Sequence, residues 1–335
     1  MSRNRAARLN GAVVVITGAS SGNGRAIAHD FARQGARLVL AARRETALAE
    51  VAAECRALGG EAVVVMTDVG DADSVARLAD EAVRTFGGFD VWVNNAGVLQ
   101  FGRLDETPPE IVEQVIRTNL IGYLNGSREA LRRFRAAGEG VLINVNSILG
   151  ALGHPYTSAY VASKFAGRGL TESLRGEVAD QPGIRVCEVL PAAIDTPIYQ
   201  RAANYTGRAV RPLRVLHPPE TVGRAVVRLA KRPRRQAYAG WSARPAVAGR
   251  ALAPALAEKV VRAAADSMEL ERRAAAPSAG NLFAPSYDAY RLSGGWRMTR
   301  RARTGVAATL GLTAAAAVLG LLVARYGSAT PTRRL

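Results

Sequence analysis

Apolar, β-branched runs recur along the first two thirds of the chain, and between them apolar residues fall at helical spacing. The runs occupy residues 12–18, 37–42, 62–68, 90–97, 140–147, 185–191 and 237–240. They are nearly continuous in apolar residues, as strands covered on both faces require. After the first run, Ile27 and Phe31, with Ala28 and Ala32, make an i, i+4 stripe that ends at Gly35. Repeated alternation of this kind predicts an α/β fold, a doubly wound parallel sheet with helices on both faces. The basic start "MSRNRAARLNGAVVVITG" leads straight into a glycine-rich loop without a small-residue cleavage site, so it reads as a first strand and not as a signal peptide.

The rhythm breaks at 192–217, a stretch with no clear period, which predicts a functional lid or an unstructured loop that sets substrate specificity. One more helical pattern follows, "AVAGRALAPALAEKVVRAAADSM", and then a Pro/Gly-punctuated segment. These changes divide the chain into an α/β domain over 1–240, a C-terminal helical extension over 241–303, an apolar segment over 304–325 and a tail over 326–335.

Charge sharpens that division. The net charge of +17 is concentrated in residues 201–303, where 21 Lys/Arg face 6 Asp/Glu, whereas residues 1–200 balance 21 against 22. Arginine bias in the genome would load both halves alike. A basic surface of this size suits an anionic partner, phospholipid or nucleic acid. Few interleaved aromatics and no recognised motif argue against nucleic acid. The run 305–324, "GVAATLGLTAAAAVLGLLVA", has no charge, and its 20 residues at about 1.5 Å each match the roughly 30 Å hydrocarbon core of a bilayer. It is apolar all round, with arginines on both sides, and predicts a single-pass C-terminal transmembrane helix. The positive-inside rule then places the α/β domain over 1–240 in the cytoplasm. Two cysteines, Cys55 and Cys187, in apolar surroundings fit a reducing compartment, and no Cys/His cluster suggests a metal.

The first strand ends in "TGASSGNG", with Gly18, Ser20, Ser21, Gly22, Asn23 and Gly24 leading into a helix. Glycines there let a pyrophosphate approach the positive end of the helix. Four further motifs follow in order: "NNAG", containing Asn95, Ala96 and Gly97; "TNLIG", containing Asn119; "NVNS", ending in Ser147; and "YVASK", with Tyr160 and Lys164. "LPAAIDT" then closes the sixth strand with Pro191, Ile194 and Thr196. Each is weak alone, since Tyr and Lys at i, i+4 are common on any helix. Together, over residues 10–240, they resemble the short-chain dehydrogenase/reductase family, which implies a Rossmann-type fold.

The resemblance implies roles. Tyr160 is the proton donor or acceptor, Ser147 holds the substrate oxygen, Lys164 also binds the nicotinamide ribose, and Asn119 anchors a water chain. The i, i+4 spacing sets Lys164 beside Tyr160, where its charge is expected to lower the phenol's pKa. The glycine loop, Asp68, Val69, Asn95, Ala96, Gly97, Tyr160, Lys164, Pro191, Ile194 and Thr196 are expected to bind the dinucleotide. The second strand ends "LAARR" with no carboxylate, and Arg43 is placed to take a 2′-phosphate, which predicts NADP(H). Two departures stand out. Asn23 occupies a usually apolar position, and Ala192 replaces a glycine, where it is expected to restrict the backbone.

The expected function is interconversion of a carbonyl and an alcohol on a lipophilic substrate at a membrane. The family often pairs through the helices of Asn119 and Tyr160, giving a homodimer or homotetramer. A membrane-bound NADP(H) sensor or scaffold without turnover is the alternative, against which the intact Ser147, Tyr160 and Lys164 argue. A nucleotide-sugar epimerase shares Tyr-x-x-x-Lys but carries a different glycine spacing and a larger C-terminal domain. His154, beside Pro155, reads as a surface turn residue or a pocket wall.

Overall fold

A computed structural model describes residues 9–285 and 291–297. In chain order the elements are β1 (Val13–Thr17), α1 (Gly22–Ala32), β2 (Arg37–Ala42), α2 (Glu45–Ala57), β3 (Glu61–Met66), α3 (Ala72–Phe86), β4 (Val91–Asn94), β5 (Gln100–Phe101), α4 (Pro109–Ile116), α5 (Gly122–Ala137), β6 (Gly140–Val145), α6 (Ser158–Glu177), β7 (Ile184–Pro191), β8 (Ala203–Asn204), β9 (Arg208–Val210), α7 (Glu220–Lys231), β10 (Gln236–Ala239), α8 (Ala243–Leu252), α9 (Pro254–Ala264) and β11 (Leu270–Ala274).

Seven strands form one sheet in the order β10-β7-β6-β4-β1-β2-β3, all parallel. Each corresponds to one of the apolar runs. Alternate side chains divide between two cores. Val14, Ile16, Leu38 and Leu40 pack with α1, α2 and α7, whereas Val13, Val15, Val39 and Trp92 pack with α3, α5 and α6. Burial on both faces explains why the strand sequences show no polar alternation. The strand order reverses between β1 and β4, and a crevice opens there at the carboxyl ends of the strands.

The stretch 192–217 is more ordered than its sequence implies. It carries β8, which pairs with β5, and β9, which pairs antiparallel with β11 from the extension. These two-residue and three-residue strands take their order from remote partners, so no local period could announce them. The helical pattern after residue 241 splits into α8 and α9 at Ala253, which precedes Pro254 and leaves the helical region at φ −141° and ψ 72°.

The boundary expected at residue 240 does not mark the edge of the fold. The compact unit runs to Trp296, and the chain divides there. The reason is packing: β11 pairs with β9, Tyr156 Oη donates to Asp266 (2.6 Å), and Leu282 is fully buried beside Val98, Ile111 and Val115. Among the described residues no helix is long and apolar enough to cross a membrane. The run 305–324 lies outside the described residues.

Candidate active site

Two sequence motifs are sewn together at the crevice. Thr17 Oγ1 accepts from the amides of Asn95 (3.0 Å) and Ala96 (3.2 Å), and Asn95 Nδ2 donates back to the carbonyls of Thr17 (2.9 Å) and Gly18 (3.2 Å). Gly18 has φ +67°, and a Cβ there would sit 2.7 Å from Ala96 Cα. Only glycine permits that approach, which brings the end of β4 against the loop before α1. Asn94 points elsewhere, accepting from Trp92 Nε1 and donating to Asn144 of β6 within the core.

The resulting cleft is lined by the glycine loop (Gly18, Ser20, Ser21, Gly22, Asn23, Gly24), by Arg43, Asp68 and Val69, by Asn95, Ala96 and Gly97, and by Thr196. Asp68 accepts from the Gly70 amide (2.9 Å), and Asp71 caps α3 through the Asp73 amide (3.0 Å). The cleft suits a dinucleotide. The amino end of α1 faces it, and Asn23 Oδ1 is buried with no hydrogen-bond partner among the described residues. A buried acceptor without a protein donor marks a place for a donor from elsewhere.

Four expected contributors, Pro191, Ile194, Tyr160 and Lys164, are absent from this lining. Pro191 ends β7 in register with Ala239, and Ile194 is buried in the core, bridging to His217. Ala192 donates to the Ala239 carbonyl (2.9 Å) and does not have positive φ, so that position makes no demand for glycine. The sequence reading missed Thr118, Ile198, Arg201, Asn281 and Pro285, which also line the cleft. Arg201 donates to Ser21 Oγ (3.2 Å). Nothing local distinguishes Asn281 or Pro285, because their role comes from a segment returning across the fold.

Arg43 is in the cleft, yet its Nη1 donates to the Leu282 carbonyl (2.7 Å) and its Nη2 to the Asn281 carbonyl (2.5 Å). The same segment reaches the glycine loop, where the Gly22 amide donates to the Arg291 carbonyl (3.2 Å).

Beyond the cleft, α6 presents Tyr160 and Lys164 on one face. Ser147, just past the end of β6, pulls the pKa of the Tyr160 phenol down. Lys164 Nζ donates to Tyr123 Oη (3.3 Å) and the Val145 carbonyl (3.4 Å), and lies 5.6 Å from the centre of the Tyr160 ring. Burial dominates both groups. It pushes the Tyr160 phenol up, with Ser147 pulling against it, and pushes Lys164 down to about 7. The expected lowering of the tyrosine by its lysine is therefore not observed: desolvation outweighs a neighbour whose own charge is weakened.

Asn119 sits in a π-helical turn, Arg117–Ile121, between α4 and α5. Its side chain exchanges hydrogen bonds with both backbone groups of Val98 (2.8 and 3.0 Å) and donates to Ser163 Oγ (3.1 Å). The π-turn re-aims the side chain into the interior. His154 is no surface residue, because it lies 2.9 Å from the buried Glu269. The extension thus rests on the loop that precedes Tyr160.

Comparison with known proteins agrees with this architecture. Residues 12–205 match the short chain dehydrogenase family model. An uncharacterised oxidoreductase, YxnA, of Bacillus subtilis is 38% identical over 76% of this chain and 72% of its own. An alcohol dehydrogenase from Thermococcus sibiricus, solved with 5-hydroxy-NADP, superposes with a TM-score of 0.60 at 31% identity, over 68% of this chain and 95% of that one. A short chain dehydrogenase/reductase from Burkholderia phymatum, solved with NAD, gives 0.66 at 29%, over 74% and 96%. The chain belongs to the short-chain dehydrogenase/reductase family, oxidoreductases of alcohol and carbonyl groups that use a nicotinamide dinucleotide.

Proposed function

We propose that the protein is an NADP(H)-dependent carbonyl reductase or alcohol dehydrogenase acting on a lipophilic substrate at a membrane. The observation that carries the chemistry is the pairing of Tyr160 with Lys164, whose Nζ lies 5.6 Å from the centre of the Tyr160 ring, together with Ser147, which pulls the phenol's pKa down. The bound nicotinamide supplies or accepts the hydride. Ser147 holds the substrate oxygen, and Tyr160 delivers a proton to it in reduction or removes one in oxidation. Burial keeps the phenol protonated at neutral pH, which favours reduction there. Asn119, tied to Val98 and Ser163, is placed to anchor the path by which the proton is replaced.

NADP(H) is supported by Arg43 in the cleft and by the absence of a carboxylate at Ala41 and Ala42. A lipophilic substrate is supported by the buried apolar cluster of Leu99, Phe101 and Ala202, against which Tyr160, Ile198 and Tyr199 pack. Membrane attachment, with the catalytic domain in the cytoplasm, rests on the run 305–324 and the basic surface before it. Pairing of subunits is supported by Phe165 on α6 and by Ile121 and Leu124, all exposed, on the helices that carry Tyr160 and follow Asn119. The test is a screen of NADPH and NADH oxidation against cyclic and long-chain carbonyls in detergent. NADPH turnover rising with the apolar surface of the substrate supports the reading, and turnover confined to small polar carbonyls contradicts it.

A further inference from the structure

The segment 281–285, which contributes Asn281 and Pro285 to the cleft wall, lies beyond the part of the chain matched by the family model, which ends at residue 205. It is held at several points. Leu282 is fully buried among Val98, Ile111, Val115 and Ala203. The Leu282 carbonyl accepts from Gln114 Nε2 on α4 (3.2 Å) as well as from Arg43. Farther along, Ser293 Oγ and the Trp296 amide both donate to the Asp195 carboxylate (2.7 and 3.0 Å), next to Thr196 of the cleft wall.

We infer that this segment determines cofactor specificity, by holding the Arg43 guanidinium at the end of β2 where a 2′-phosphate is read. The inference rests on the NADP(H) reading above. Two adjacent backbone carbonyls, Asn281 and Leu282, receive the two terminal nitrogens of Arg43. Two carbonyls held by the fold fix the plane of the guanidinium. Guanidinium has five N–H donors in a rigid fork, and the fork's value to a phosphate depends on its orientation. A long side chain ordered in advance does not lose its rotamer freedom when the anion arrives. Asn281 and Leu282 are positioning residues acting through Arg43, and Gln114 acts through Leu282.

The experiment measures dissociation constants of the full-length protein for NADP+ and NAD+, in wild type and in Arg43→Ala, Gln114→Leu and Leu282→Ala. Arg43→Ala should abolish the preference for NADP+. Gln114→Leu and Leu282→Ala should each weaken NADP+ by up to about tenfold while NAD+ stays within about twofold of wild type. Gln114 is only half-buried and outside the cleft lining, which keeps one variant clear of the core. If Arg43→Ala removes the preference but both segment variants retain it, the segment has no such role and the NADP(H) reading stands. If Arg43→Ala changes nothing, the NADP(H) reading falls and the inference with it. Equal weakening of both cofactors, or a preference that rises when the segment is loosened, also overturns the inference.

Discussion

Lys164 Nζ lies 5.6 Å from the centre of the Tyr160 ring, and burial holds its pKa at about 7. An amine at the bottom of an active site is an energetic cost that the fold tolerates for function. Its unfolded-state pKa is near 10.4. Between about pH 7 and 10 the unfolded chain therefore binds more protons at this site than the folded one, and stability rises with pH through that window. Lys164→Met removes the effect. Wild type should gain on the order of a few kcal/mol relative to Lys164→Met between those limits. Denaturant titrations at pH 6.5, 8 and 9.5 check this, and parallel curves for the two proteins contradict it.

Gly18 joins the glycine loop to the end of β4, with φ +67° and Ala96 Cα within 2.7 Å of an added Cβ. Gly18→Ala meets both a left-handed backbone and a backbone contact that cannot rotate away. The expected cost is about 1–3 kcal/mol. Cofactor affinity should fall further than stability alone explains, because the same displacement moves Asn95 and Ala96 in the cleft wall. A thermal melt and a cofactor titration on the same preparation separate the two effects.

The apolar run 305–324 sets up a fractionation test. Full-length protein should resist high salt and then alkaline carbonate, and a chain ending at Arg303 should not. Partial retention of the shorter chain at low salt, lost at high salt, assigns a second contact to the basic surface. Release of the full-length protein by either wash rules out a spanning helix.

The five inner strands of the main sheet were legible because each is buried on both faces and so writes a continuous apolar run, and the partly exposed edge strands β3 and β10 keep enough of that pattern to be read as well. The glycine loop, Asn95, Ser147, Tyr160 and Lys164 were legible as motifs at fixed spacing, and the structure brings the glycine loop and Asn95 to one cleft and sets Tyr160 beside Lys164. The paired strands β8, β9 and β11 were not, since pairs such as Leu270 with Val210 leave no local period. Asn281 and Leu282 reach Arg43 from more than 230 positions away, and act through backbone carbonyls that any residue would supply. The direction of the Tyr160 shift was misjudged for a related reason: spacing reveals a neighbouring lysine, but not how deeply both are buried.

Turnover by Tyr160→Phe tests the mechanism most directly. The substitution removes one hydroxyl, from a ring that packs beside Ala159 and Leu99 and makes no cofactor-cleft contact with the glycine loop. With a responsive carbonyl substrate, kcat should fall by about two to four orders of magnitude, the range that general acid catalysis supplies. The dissociation constant for NADPH should stay within about threefold of wild type, since under about 1 kcal/mol of binding is at stake. Near-normal turnover with intact NADPH binding would mean that the proton comes from elsewhere, and the role assigned to Tyr160 would be wrong.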